Sequence, residues 1–240
     1  MSNLGWVYRF AEGFKDITKS IYWYGKAAET GRPSAMYCLG LIYQYEPEVK
    51  DISKALYWYE KAAEKGYAAG MASLGWLYHN EASVKDVPKA ICWYEKAAEK
   101  DNIISMYNLG WTYQYEAGFK DLAKAIYWYE KAAEKDYSNA SFNLGFIYQN
   151  EAGFKDITKA IYWYEKAALQ GDAVAQVCLG LLYYNGQGVR QNYKKAKEWY
   201  EKAAVQGNAN AQLNLGTMYV EGQGVRHAQA RHRALRRAEG

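Results

Sequence analysis

Residues 58–63 read Trp-Tyr-Glu-Lys-Ala-Ala, and this hexapeptide returns throughout the chain. It stands again at residues 93–98, 128–133, 163–168 and 199–204, and as Trp-Tyr-Gly-Lys-Ala-Ala at residues 23–28. Successive copies lie 35 residues apart, except the last, which follows after 36. A period in this range is typical of solenoids, in which one small unit of secondary structure stacks on copies of itself. The 240 residues are therefore expected to form a repeat array.

Each repeat is predicted to contain two helices. In residues 101–135, the segment 103–115 has helical character and ends before Glu116-Ala117-Gly118, where glycine can adopt the left-handed conformation of a turn. Asp121 then has the position of an N-cap, and good helix formers continue through Lys135. The corresponding caps in the other repeats are Asp16, Asp51, Asp86, Asp156 and Asn192. A second in-phase signature, Leu-Gly, recurs in the first helix from Leu4 to Leu215.

The second helix divides into two arcs at 100° per residue. Small and apolar residues fill one arc, where the tryptophan is expected to occupy the space between repeats, and lysine and glutamate fill the other. Tyrosine interrupts the charged arc at Tyr22, Tyr57, Tyr127 and Tyr162. Either these rings lie along lysine stems with their hydroxyls in water, or they form an exposed ridge that binds a partner or a second copy of the chain.

The combined pattern resembles the Sel1-like repeats, which are relatives of the tetratricopeptide repeats. The best match carries Leu179-Gly180, Gly186-Gln187-Gly188-Val189, Trp199-Tyr200 and Ala203-Ala204. The resemblance implies an all-α fold, an α/α right-handed superhelical solenoid of about seven helix-turn-helix repeats of 35–36 residues. It also implies a role in holding protein complexes together, with ligands in a concave groove lined by the first helices. The paired cysteines of the secreted, cysteine-rich relatives are absent here, so that subgroup is excluded.

The array is expected over residues 1–226, with a first repeat that is truncated at its N-terminus. Residues 227–240 are expected to be a degenerate basic tail or a frayed capping helix. Five arginines and one glutamate in residues 226–240 account for the net charge of +4, so the repeats themselves are neutral. These arginines could bind nucleic acid or acidic lipid, but no motif that enters a nucleic-acid groove accompanies them. We therefore favour a frayed or disordered extension.

The groove residues are predicted from the variation between repeats. Positions that are alike in every copy serve stacking, whereas the arc opposite the packed one is free to differ. That arc carries large aromatic residues with a polar residue one turn later, and tryptophan and tyrosine are enriched in binding hot spots. The alternative is that curvature buries these rings against each other. The predicted protein-binding groove comprises Trp6, Tyr37, Leu41, Gln44, Trp76, His79, Tyr107, Trp111, Gln114, Phe142, Phe146 and Gln149.

Several classes of function are not expected. No catalytic triad, metal-binding or phosphate-binding motif occurs in the sequence, so we expect a non-enzymatic protein without cofactor or metal. No apolar run is long enough for a membrane span, and the first residues do not resemble a signal peptide. The three cysteines occupy positions that cannot pair. We therefore expect a cytoplasmic protein with free thiols.

The predicted function is a scaffold or adaptor that binds another protein or a peptide segment in the groove. An inhibitor or immunity protein that blocks a toxin or effector enzyme is the alternative, and a hydrolase is a remote one. Self-association through the tyrosine ridge is an additional alternative.

Overall fold

A computed structural model describes residues 1–224, and residues 227–240, which the sequence assigns to a basic tail, lie outside this part. Within residues 1–224 there are thirteen α-helices and no β-strand. The helices are α1 (Ser2–Phe10), α2 (Ile17–Glu29), α3 (Pro33–Tyr45), α4 (Ile52–Glu64), α5 (Ala68–Asn80), α6 (Val87–Ala98), α7 (Ile103–Tyr115), α8 (Leu122–Glu134), α9 (Ser138–Asn150), α10 (Ile157–Leu169), α11 (Ala173–Asn185), α12 (Tyr193–Val205) and α13 (Ala209–Glu221). The all-α class and the two-helix repeat are confirmed.

The chain divides into two compact units, at residues 1–120 and from residue 121 onward. In the first unit, the paired helices of single repeats pack together: α1 with α2, α3 with α4 and α5 with α6. In the second unit, α9 packs with α10 and α11 with α12. Contacts also join each second helix to the first helix of the following repeat, as between α4 and α5 or between α10 and α11.

The second helices begin where the sequence predicts. Asp51 has an extended conformation, and its side chain accepts a hydrogen bond from the Lys54 backbone N–H at 3.0 Å. The same bond forms at each of the other predicted caps, which satisfies a backbone donor left free at the helix start. These bonds are made by Asp16, Asp86, Asp121, Asp156 and Asn192. The predicted N-caps are therefore confirmed.

The two recurring sequence signatures meet inside five of the repeats. The glycine of Leu-Gly lies under the ring of the tyrosine of Trp-Tyr, and that tyrosine is almost completely buried. A Cβ atom at Gly145 would come within 2.6 Å of Tyr164 Cδ1, and one at Gly75 within 2.5 Å of Tyr94 Cδ1. Because no side chain fits in this space, glycine permits the two helices to approach closely.

The tryptophan of the hexapeptide has a different position from the tyrosine. Trp58, in α4, is partly buried and packs against the cluster that contains Tyr24 and Leu39 of the preceding elements. Trp93, in α6, packs in the same way against the cluster around Tyr59 and Leu74. The expectation that the tryptophan occupies the space between repeats is confirmed at these two places, while the tyrosine closes each repeat internally.

Two further sequence expectations concern chemistry rather than packing. Cys38, Cys92 and Cys178 are free thiols, as predicted from their spacing. No helix in the described part of the chain is both long and apolar enough to cross a membrane.

Candidate protein-binding surface on the first helices

Three tryptophans reach solvent on the first helices of the first unit. Trp6, Trp76 and Trp111 are 55%, 40% and 39% exposed. Trp76 and Trp111 each follow the glycine of Leu-Gly directly, so they point away from the buried leucine of the same turn. Tyr37, Leu41 and Tyr107 are half-buried beside them. We name this surface the first-helix face of the first unit, and it comprises Trp6, Tyr37, Leu41, Trp76, Tyr107 and Trp111.

The second unit has a weaker version of this surface. Phe142 and Phe146, on α9, are half-buried, and the Phe142 ring lies 5.8 Å from the ring of the buried Tyr164. Leu181, on α11, is 40% exposed. Large exposed aromatic rings on this surface are therefore concentrated in the first unit.

The polar residues predicted to line a groove lie mostly beneath the surface of the first helices. Gln44, His79 and Gln114 are 5%, 6% and 1% exposed, and Gln149 is half-buried. Gln44 Oε1 accepts a hydrogen bond of 2.6 Å from the hydroxyl of Tyr59, the buried tyrosine of the same repeat. Gln149 Oε1 accepts the corresponding bond, of 2.7 Å, from Tyr164. These two glutamines thus hold the tyrosine that closes the repeat.

A cavity of about 230 Å³ opens between α5 and α7 of the first unit. It is lined by the side chains of Trp76 and Trp111 and by His79, Asn80, Tyr94, Tyr107 and Asn108. We name this cavity the Trp76–Trp111 notch. The sequence did not indicate Tyr94, which it assigned to packing, nor the two asparagines, which flank the predicted arc.

His79 forms the polar end of the notch. Its Nε2 lies 3.3 Å from Glu116 Oε2, and Lys85 Nζ lies 3.2 Å from the other oxygen of that carboxylate. Burial raises the pKa of Glu116, but the hydrogen bonds from His79 and Lys85 outweigh burial and hold this pKa below its ordinary value. Glu116 is therefore an ionised, paired carboxylate at neutral pH.

Thr112 completes a group that superficially resembles a nucleophile with its base. Thr112 Oγ1 lies 3.5 Å from His79 Nδ1, on the side of the ring opposite Glu116. However, the hydroxyl donates its proton to the Asn108 carbonyl oxygen at 2.8 Å, and the residue is 0% exposed. A substrate carbonyl cannot reach this oxygen, so the group has no geometry for nucleophilic catalysis. In the described residues, no cluster of histidine, cysteine, aspartate and glutamate could hold a metal ion.

The second unit has a smaller notch at the same place in the repeat. About 100 Å³ in volume, it lies between α11 and α13 and is lined by Leu181, Tyr184, Tyr200, Asn214 and Thr217. Leu181 and Thr217 stand where Trp76 and Trp111 stand in the first unit. A notch at this repeat position thus occurs in both units, with different walls.

The tyrosine ridge is exposed and also packs against neighbouring side chains. Tyr22, Tyr57, Tyr127 and Tyr162 are 51–57% exposed. Each ring also packs edge-on against the tryptophan that follows it, with centroids 5.0–5.3 Å apart. Lysine ammonium groups lie 5.8 Å from the ring centroids of Tyr57 and Tyr127. The rings are therefore partly covered by their own helices and half open to solvent.

Comparison with protein families identifies the repeat. The Sel1 repeat model matches seven consecutive segments, at residues 1–31, 33–67, 68–102, 103–137, 138–172, 173–208 and 209–235. The chain belongs to the Sel1 repeat family. The resemblance predicted from the sequence is thereby confirmed. Sel1 repeat proteins are typically protein-interaction scaffolds and are generally not catalytic.

Solved structures of Sel1 repeat proteins show the same fold. A Sel1 repeat protein from Oxalobacter formigenes is 32% identical, with a TM-score of 0.80 over 93% of this chain and 67% of that chain. A Sel1 repeat protein from Klebsiella pneumoniae is 25% identical, with a TM-score of 0.50 over 83% of this chain and 99% of that one. An immunity protein from Pseudomonas aeruginosa is 23% identical over 86% of this chain and 80% of that one, with a TM-score of 0.53, which shows the fold alone. A comparison with curated proteins gave no match.

Proposed function

We propose that the protein is a non-enzymatic scaffold or adaptor that binds a segment of another protein on the first-helix face. The observation that carries this proposal is the exposure of Trp6, Trp76 and Trp111 on one surface. Tryptophan is among the residue types most enriched in binding hot spots, and exposed apolar patches mark interaction sites.

The charge of this surface indicates the kind of segment that it binds. Helices α3, α5 and α7 contain no aspartate, glutamate, lysine or arginine. A partner therefore buries aromatic and amide groups on these helices without the desolvation of a charge. This composition favours an extended or helical segment that contributes side chains to the notch and apolar surface to the neighbouring rings.

The proposal is tested by affinity capture with two matched double variants. Trp76→Ala/Trp111→Ala removes the walls of the notch, whereas Tyr57→Ala/Tyr127→Ala removes two exposed rings from the ridge. Hot-spot truncations cost at least about 2 kcal/mol, so partner recovery by the first variant should fall more than tenfold. The ridge variant should recover the partner normally.

Helical circular dichroism must first show that both variants are folded. Unchanged recovery by a folded Trp76→Ala/Trp111→Ala variant would contradict the proposal. Loss of the partner in the ridge variant alone would assign binding to the tyrosine ridge instead.

The inhibitor or immunity alternative gains no residue-level support from the Pseudomonas structure, because that likeness shows the fold alone. A toxin gene immediately upstream of the coding sequence would favour it. The cytoplasm remains part of our proposal, and it is supported by the three free thiols.

A further inference from the structure

We propose that the Trp76–Trp111 notch binds an arginine side chain of the partner. This inference rests on the proposed function, since it names the chemistry of the group that anchors the bound segment. A guanidinium is planar and stacks on aromatic faces, and it attracts the electron-rich face of tryptophan more strongly than that of any other ring.

The lining of the notch fits a cation. Five rings surround it, from Trp76, His79, Tyr94, Tyr107 and Trp111. The remaining two residues, Asn80 and Asn108, have amide groups, whose carbonyl oxygens accept hydrogen bonds. No lysine or arginine is among these lining residues, and the imidazole of His79 already faces the carboxylate of Glu116, so the lining offers little to a carboxylate or phosphate.

The volume also limits the occupant to one side chain. An apolar cavity of about 150 Å³ is large enough for benzene. At about 230 Å³, the notch can hold one long side chain but not a helix. The occupant therefore enters as a single residue, while the rest of the segment lies on the surface outside.

Tryptophan rings elsewhere in the chain already contact cations. On the second helices, Lys96, Lys166 and Lys202 place their ammonium groups 4.3, 5.5 and 4.0 Å from the ring centroids of the tryptophans three residues earlier. These three indoles are partly buried, and each has an ammonium group over its ring. In residues 1–224, neither Trp76 nor Trp111 has a lysine or arginine over its ring. The indoles of the notch are therefore open to a cation from the partner.

The arginine contacts the aromatic rings of the notch and does not pair with a carboxylate. The carboxylate of Glu116 is held by Lys85 and by His79, so it is already paired. Selectivity for arginine then depends on the two indoles. The smaller notch of the second unit has Leu181 and Thr217 in their place and should show no such selectivity.

The test uses three capped amino acids as probes with the full chain. N-acetyl-arginine methylamide carries the cation, N-acetyl-citrulline methylamide is its neutral isostere, and N-acetyl-norleucine methylamide is apolar. Binding is followed by NMR titration of the indole N–H signals, which Trp76→Phe and Trp111→Phe variants assign. We expect the arginine probe to shift both signals with a Kd roughly three- to tenfold below that of the citrulline probe.

A double variant gives the Trp76–Trp111 notch the wall residues of the smaller notch. Trp76→Leu/Trp111→Thr reproduces the walls of the second unit and should abolish the preference for arginine, and Trp6→Ala, outside the notch, should retain it. Equal or tighter binding of citrulline or norleucine by the unsubstituted protein would overturn the inference, and so would indole signals that no probe shifts.

The two proposals can fail separately. If partner capture depends on Trp76 and Trp111 but the probes show no charge preference, the scaffold function stands and the arginine site is wrong. If the arginine probe binds as expected but capture is unaffected by Trp76→Leu/Trp111→Thr, the cation site stands and the proposed docking surface is wrong.

Discussion

In five of the repeats, one glycine and one tyrosine close the two helices on each other. The tyrosine ring occupies the space that a side chain at the glycine would need, and its hydroxyl is tied to a glutamine of the first helix in two of the repeats. Burial raises the pKa of Tyr59 and Tyr164 far above its ordinary value, so each hydroxyl remains a donor at any physiological pH. The repeat is thus closed by shape and by a buried hydrogen bond together.

This geometry predicts opposite effects for two glycine-to-alanine substitutions. Gly145→Ala places a Cβ 2.6 Å from the Tyr164 ring, and such overpacking should lower the free energy of unfolding by about 1–3 kcal/mol. A Cβ atom at Gly25, in helix α2, would have nothing within 4 Å. Gly25→Ala should therefore raise the free energy of unfolding by about 0.5–1 kcal/mol. Denaturant unfolding followed by circular dichroism measures both. Equal effects of the two variants would refute the role of the glycine–tyrosine contact.

At the scale of the helix, the aspartate caps link stability to pH. The backbone N–H of Lys54 hydrogen-bonds the Asp51 carboxylate and lowers its pKa, and Lys89 lowers that of Asp86 in the same way. A lowered pKa contributes stability that is present above the ordinary carboxyl range and is lost as the pH falls through the lowered value. These caps should therefore contribute to acid unfolding.

Two substitutions of Asp51 separate the cap from its charge. Asp51→Ala should lower the denaturant midpoint at pH 7, because the Lys54 N–H loses its acceptor. Asp51→Asn keeps an acceptor, so it should retain most of the stability at pH 7 and lose less than the unsubstituted protein between pH 7 and pH 2. Denaturant midpoints measured at several pH values test this, and identical pH profiles for Asp51→Asn and the unsubstituted protein would rule it out.

A second link joins the first helices of successive repeats. Arg9 Nε contacts Glu46 Oε1 at 3.0 Å, and the two side chains are 9% and 15% exposed. His79 contacts Glu116 at the same repeat positions, and Tyr184 contacts Glu221, which lies one position earlier in its repeat. One polar side chain therefore reaches the acidic end of the next first helix, although its chemistry differs between repeats.

Removing one partner of the Arg9–Glu46 pair should lower the free energy of unfolding more than removing both. Glu46→Leu leaves Arg9 buried without its carboxylate and should cost about 2–3 kcal/mol, less than a fully buried pair because both groups are slightly exposed. Arg9→Met/Glu46→Leu should recover most of this loss. A double-mutant cycle from denaturant unfolding measures the coupling, and purely additive losses would show that the pair is not coupled.

At the scale of the whole molecule, a repeat protein is stabilised by each repeat and its nearest neighbours. Gly40 and Gly145 lie under tyrosine rings in different compact units. Gly40→Ala should accelerate amide hydrogen exchange mainly within α3, α4 and adjacent helices, and Gly145→Ala mainly within α9, α10 and theirs. Exchange measured by mass spectrometry tests this. Equal acceleration throughout residues 1–224 in both variants would indicate one cooperative unit instead.

Much of the fold could be predicted because periodicity and capping are local properties. Helix α7 was predicted at 103–115 and is found there, and the aspartate and asparagine caps begin the second helices as expected. A helical wheel also placed Trp76 and Trp111 on one arc, and both rings reach solvent. The helical wheel could not predict how deeply each side chain on that arc is buried, because direction around a helix does not reveal how closely the next repeat approaches. Gln44, His79 and Gln114 share that arc and are nevertheless buried.

The sequence alone determined the repeat, the two helices within it, their caps and the family, because each is encoded in residues at fixed spacing. Only the tertiary structure showed that the tyrosine covers the glycine and that the glutamines lie beneath the surface. It also brought Trp76, Trp111 and Tyr94 around one cavity. The physical reason is distance: Trp76 and Trp111 stand one full repeat apart, and only the packing of α5 near α7 makes them walls of the same notch.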